Sequence, residues 1–304
     1  MGRIVAGLWI AGFIGITALA QSGFYREALE KYQSKQYREA LALAERALRD
    51  DGGNADYVHL YGMTLAALDQ YYLAEQNLRR AIALAPDQGQ FAYDLGALLH
   101  RERKYAEAVP VLKHAVELDP DNLSARMMLA RSYVFSYHEL KIPNFVELTM
   151  EQLNYIVKKD PRFPGVHHHI ALVYINTGEP EKAIEELKTE LRYDPSNAQA
   201  RLELGETLLK LNEYNKAAEE LQIAARQAPQ MAAIEFALAK AYKGEGQTAK
   251  AIAAARRATE LDAGFADGHY LLGQLYRENG QQELAGKEFE LFRQTKNSVA
   301  TPAR

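Results

Sequence analysis

Small residues return along this chain at intervals of 34, and that period limits the possible folds before any local propensity is weighed. Counting from Gly62, Ala74 follows after 12 residues, Ala81 after 7 more and Pro86 after 5 more, and the ladder restarts at Gly96. It continues through Ala108, Ala115, Pro120 and Ala130, and later through Ala171, Ala183, Glu190 and Pro195. Gly205, Ala217, Ala224 and Pro229 repeat it, as do Ala239, Ala251, Ala258 and Ala263, and Gly273 with Ala285 closes it. Backwards from Gly62, Ala28, Ala40, Ala47 and Gly52 keep the register. A repeat this short cannot bury a core alone, so neighbours must stack. Its 304 residues would otherwise suggest two domains of about 150 each; the period points instead to one elongated array.

Each repeat reads as two helices. Apolar residues recur at helical spacing over Tyr57 to Leu68 and again over Tyr72 to Ala83, with Asp69-Gln70 at the turn and Pro86-Asp87 ending the second helix. Gly62 is expected to face Ala74 and Ala81, and Gly96 to face Ala108 and Ala115, where a larger side chain would push the helix axes apart. Proline after the second helix has no amide hydrogen and fixes the bend into the next repeat.

These residues resemble the tetratricopeptide repeat family over about residues 21 to 299. The resemblance implies an all-α, right-handed superhelical solenoid of about eight helix-turn-helix units. They span 21–54, 55–88, 89–122, 123–163, 164–197, 198–231, 232–265 and 266–299, followed by a tail at 300–304. The fourth is seven residues longer, and Thr149, Ile156 and Pro161 keep the usual spacing, so the insertion lies between Ala130 and Thr149. Ser136 to Lys141 is expected to prolong the first helix, Pro143 to stop it, and Asn144 with Glu147 to cap the second, roughly one turn being added to each. In the last repeat Phe289 and Phe292 are expected to cover the open end of the core.

Several chemistries are excluded by composition. There is no cysteine, hence no disulfide, thiolate metal site or thiol nucleophile, and a net charge of −4 gives no reason to expect a nucleic-acid partner. No Gly-rich phosphate loop, G-x-S-x-G elbow or H-E-x-x-H helix occurs, and the array leaves no stretch long enough for a catalytic domain. The reading is a non-enzyme without cofactor or metal. His167-His168-His169 is the most conspicuous polar cluster, but consecutive helical residues point about 100° apart and cannot close on one ion. A metal- or glycan-binding protein using this His-rich middle is the alternative.

In the family the first helices line a concave surface. The residue three before each small residue then faces a groove and reads Tyr25, His59, Tyr93, Met127, His168, Leu202, Phe236 and Tyr270. Arg131, Glu206, Lys240 and Gln274 follow the small residues directly, with His100, Arg101, Lys210 and Arg277 about a turn further. Aromatic and methionine side chains hold apolar partner groups while charges orient them, which suits a protein or peptide segment. The same stripe could instead complete the core. The Lys, Asn and Arg set with which some family members clamp chaperone C-termini is absent.

Residues 1–20 read as an export signal. A basic start is followed by the apolar Ile4 to Ala20, and Ala18-Leu19-Ala20 places small residues at a cleavage site before Gln21. Retained, the segment would be a membrane anchor and the protein an anchored assembly factor. The sequence therefore reads as an exported, periplasmic or secreted scaffold acting in cell-envelope assembly or trafficking.

Overall fold

The computed structural model describes the backbone of residues 23–140 and 144–300, and the side chains of 23–135 and 144–297. Residues 1–22, which carry the export reading, and Pro143 lie outside this range. Sixteen helices and no strand occur among the described residues, which is the all-α helical solenoid architecture. Contacts divide the chain between Lys141 and Ile142 into two compact bodies. The first holds α1 (Gly23–Gln33), α2 (Tyr37–Asp50), α3 (Ala55–Ala67), α4 (Tyr71–Leu84), α5 (Gly89–Arg101), α6 (Tyr105–Leu118) and α7 (Leu123–Leu140). The second holds α8 (Phe145–Lys159), α9 (Val166–Thr177), α10 (Pro180–Tyr193), α11 (Ala198–Lys210), α12 (Tyr214–Gln227), α13 (Ala232–Gly244), α14 (Thr248–Leu261), α15 (Ala266–Glu278) and α16 (Gln282–Ala300).

Within each body every helix packs on its chain neighbours, and first helices also touch first helices: α1 on α3, α3 on α5, α5 on α7, and α11 on α13. An inner first helix such as α5 thus meets more neighbours than a second helix such as α6. In α5 Phe91, Ala92, Asp94, Leu95, Gly96, Leu98 and Leu99 are buried, whereas α6 buries Ala108, Leu112, Ala115 and Val116. Burying a leucine such as Leu112 is worth roughly 1.5–3 kcal/mol, so stacking supplies the stability that one hairpin lacks.

Where the small residue of a first helix is glycine it does mark a close crossing, but its neighbour differs from the expected one. A Cβ on Gly62 would lie 3.1 Å from Leu78 Cγ, and one on Gly96 only 2.4 Å from Leu112 Cδ2. The glycine faces the leucine between the two alanines of the second helix; the alanines are buried on either side of it.

The turn inside each repeat has its own 34-residue signature. Lys35, Asp69, Arg103, Asn144, Gly178, Asn212, Gly246 and Gly280 all have left-handed φ, between 59° and 78°. The following amide reaches back to the first helix, as in Gln70 N–H to the Leu65 carbonyl at 3.0 Å and Lys104 N–H to the Leu99 carbonyl at 2.9 Å.

The lengthened repeat is built differently from the expectation. α7 has 18 residues against 13 in α3 and α5, while α8 has 15 against 14 in α4 and α6, so the added length falls almost wholly on the first helix. No Gly or Pro interrupts Leu123 to Lys141, so nothing in that stretch ends the helix early. Asn144 forms no capping bond: it is the left-handed turn residue, at φ 60°, and its side chain does not reach the amides of α8. At the other end Phe289 packs on Gly273 and, with Phe292, flanks Tyr270 at 6.0 and 5.1 Å, so both rings cover the last first helix.

Candidate functional site

The first-helix stripe is graded from core to surface. Met127 and Leu202 are 8% and 4% exposed and contribute packing, whereas Tyr270 is 44% exposed. Tyr25, His59, Tyr93, His168 and Phe236 are half-buried. Each leans on a neighbouring helix: Tyr25 stacks on Tyr57 at 4.9 Å, His59 on Phe91 at 4.3 Å, and Phe236 meets Phe265 edge-on at 5.0 Å. The stripe is therefore part core and part surface, its inner edge closing the core and its outer edge exposed.

In the first body the accessible part lies on α5, the start of α6, and α7. Phe135 is 51% exposed and stacks on Tyr105 at 4.7 Å, with the His100 ring edge-on to both at 5.8 and 4.9 Å. His100 Nδ1 lies 3.1 Å from Ser132 Oγ, and Tyr93 is hydrogen-bonded with Ser124. Burial pushes the Tyr93 phenol above its usual range, with Asp94 adding to the effect. Arg101 is exposed and held by Asp69 at 2.8 Å over the Tyr71 ring. Half-buried Arg131 shares this face. Tyr105 and Phe135 were not sequence candidates: Tyr105 opens a second helix, in register with Tyr37 and Tyr71, and Phe135 stands in the register of Arg101.

In the second body Phe236 carries Lys240 above its ring at 5.4 Å, and Arg277 lies over Phe289 at 5.6 Å. Lys240, Lys210 and Glu206 are exposed and Gln274 half-buried. The Glu206 carboxyl is raised chiefly by desolvation at its crowded end, with Lys240 opposing, Glu203 assisting and Lys210 opposing. This face thus offers both signs of charge around aromatic rings.

The three consecutive histidines are drawn to separate partners. His167 Nδ1 meets Glu186 Oε2 at 2.6 Å and its Nε2 meets the Pro161 carbonyl at 3.0 Å. His168 Nε2 lies 2.6 Å from Glu203 Oε2, and His169 Nδ1 is 2.8 Å from the Gly165 carbonyl. Among the described residues no group of three His, Cys, Asp or Glu side chains could hold a metal. Two of these contacts recur by register. The His167 pattern returns as Arg201 to Glu220 at 2.6 Å and the Pro195 carbonyl at 3.1 Å, and as His269 to Glu288 at 2.7 Å and the Ala263 carbonyl at 3.1 Å. It clips the start of a first helix to its own second helix and to the preceding turn. The His168 pattern, in which Gln199 Nε2 also bonds Glu203 at 2.8 Å, matches His59 and Gln90 on Asp94, both at 2.9 Å. These clips lie four and three residues before the small residue, a spacing visible in the sequence once the partners at 19 and 35 are sought.

Comparison with known proteins agrees with this geometry. The sequence profile described as Tetratricopeptide repeat matches residues 62–122, 170–232 and 236–298, more than half the chain. The antiviral innate immune response effector IFIT1 of Homo sapiens is 28% identical over 155 residues, which are 48% of this chain and 31% of that protein. The N-terminal acetyltransferase A complex auxiliary subunit NAA15 of Arabidopsis thaliana is 25% identical over 103 residues, 34% of this chain and 12% of that one. Each match spans less than a third of the relative's length. A solved tetratricopeptide repeat protein from Parabacteroides merdae superposes with a TM-score of 0.61 at 17% identity, covering 79% of this chain and 93% of that one. YrrB, a repeat protein with an unusual peptide-binding site, gives a TM-score of 0.51 at 21% identity, covering 60% and 90%. These likenesses are of fold.

Proposed function

Because the chain belongs to the tetratricopeptide repeat family, we propose that it is a non-catalytic interaction protein that holds polypeptide segments against the first-helix faces of its two bodies. The observation that carries this reading is that aromatic rings remain open beside polar and charged groups on those faces: Phe135 near His100, and Tyr270 near Gln274 and Arg277. Exposed aromatic anchors ringed by polar groups are what a binding surface offers, since they supply contact area at low entropic cost. The same fold carries a peptide-binding site in YrrB. The apolar segment up to Ala20 supports export, and with it a place in envelope assembly or trafficking. Among the described residues no helix is long and apolar enough to cross a membrane.

Phe135→Ala, Phe236→Ala and Tyr270→Ala, combined in the full-length protein, should reduce capture of displayed random 12-residue peptides, while Tyr72→Ala, on a second helix, leaves it unchanged. Equal loss in both would remove the binding role from the first-helix faces. A mature N-terminus at Gln21 in exported protein would support cleavage; an intact Met1 would favour the anchored form.

A further inference from the structure

Arg131 stands on the first-helix face of α7 with no acidic partner among the described residues. It follows the small residue Ala130 on α7, is half-buried, and its Nε is buried with no hydrogen-bond partner. Burial pulls its guanidinium below the usual arginine range, and only the phenols of Tyr105 and Tyr93 push the other way. A cation desolvated without a counter-charge is costly, and removing the cost requires an acceptor. The neighbouring cation cannot share the task, since Arg101 is held by Asp69 and by the Ala66 carbonyl at 3.3 Å. One turn further along α7, Phe135 lies open and stacked on Tyr105.

Building on the groove reading above, we infer that the α5–α7 face of the first body selects a segment carrying an acidic side chain, Glu or Asp, whose carboxylate is received by Arg131 while an adjacent apolar side chain rests on Tyr105 and Phe135. The guanidinium presents planar paired donors that match two carboxylate oxygens, and because Nε is buried it is the two terminal nitrogens that would receive them. A single uncompensated cation suits a monoanion better than a phosphate dianion. The ring wall beside it accounts for the apolar neighbour, because an exposed aromatic pair gains most by covering apolar surface.

The test uses full-length protein and a library of random 12-residue peptides displayed as internal segments, so that no free C-terminal carboxylate is offered. Selection is expected to enrich Glu or Asp at one position beside an aromatic or aliphatic residue. In the best peptide, synthesised with both ends blocked, changing that acid to Gln should weaken binding to the wild type at least about tenfold and to Arg131→Gln less than about twofold. If Arg131→Gln melts early, the comparison moves to Arg131→Lys, which keeps a point charge but loses the fork; its preference for the acid should shrink without vanishing. An undiminished preference in either variant overturns the assignment, as does tighter binding of a phosphoserine version or of a peptide whose only carboxylate is its C-terminus. Enrichment with no acidic position overturns the Arg131 site and leaves the groove reading standing. No enrichment at all overturns both.

Discussion

Replacing Gly96 by alanine tests whether the helix crossings are as close as the glycine ladder implies. The added methyl would lie 2.4 and 2.5 Å from Cδ2 and Cγ of Leu112, a side chain with no exposed surface. Carbon atoms at rest sit about 3.5–4.0 Å apart, so α5 and α6 must separate by roughly 1 Å or Leu112 must leave its rotamer. Overpacking of this kind costs about 1–3 kcal/mol, against a gain of about 0.8–1 kcal/mol from removing a glycine inside a helix. The net expectation is a loss of roughly 1–2 kcal/mol. Gly62 holds the same register, yet its methyl would stop 3.1 Å from Leu78, so there the two terms nearly cancel and Gly62→Ala should stay within about 0.5 kcal/mol of wild type. Urea unfolding followed by circular dichroism ranks the two variants directly. Equal stability of the pair, or stabilisation of both, would refute the reasoning, because helix propensity alone predicts the same gain at each site.

Three further outcomes are expected. Glu186→Ala leaves the buried His167 ring without its carboxylate and should cost about 1–2 kcal/mol in the same unfolding assay, whereas Glu219→Ala, on an exposed face of α12, should fall within about 0.5 kcal/mol of wild type. Arg103→Gly should raise stability by about 1 kcal/mol, since Arg103 holds φ at 63° where glycine carries no Cβ penalty; a loss would mean its side chain contributes more than its backbone costs. Burial raises the Glu235 carboxyl against the opposing charge of Arg257, so the folded state keeps that proton to higher pH than the unfolded chain does. Stability from this group then falls as pH rises from the ordinary carboxylate range through the raised value. Glu235→Gln should accordingly melt above wild type at neutral pH, with the gap closing at about pH 4 and below, as thermal scans across pH would record.

The fold was legible in the sequence where sterics leave no choice. Only a small side chain fits where α5 crosses α6, so Gly96 and its equivalents return at a fixed interval whatever surrounds them. The turns were less legible, because Lys35, Asp69 and Arg103 adopt left-handed backbone that glycine marks only at Gly178, Gly246 and Gly280. The clips were hidden for another reason. His167 and Glu186 lie 19 residues apart on different helices, and each alone resembles ordinary polar surface. At the candidate site the register named Tyr93, His100 and Arg131 but passed over Tyr105, which opens a second helix, and Phe135, whose register position carries the polar Arg101 and Lys210 in other repeats. Met127 and Leu202 share a register position with the open Tyr270 yet are buried: α13 packs against α11, whereas no first helix follows α15 among the described residues, and spacing in the sequence does not encode that cover.

The central claim, that partners lie against first helices, is tested most directly by site-specific photo-crosslinking in the cells that make the protein. A photoreactive amino acid at Tyr270, on the first-helix face of the second body, should capture a discrete protein partner. The same group at Tyr72, 72% exposed on second helix α4, should capture none. A partner recovered at Tyr72 and absent at Tyr270 would contradict the account.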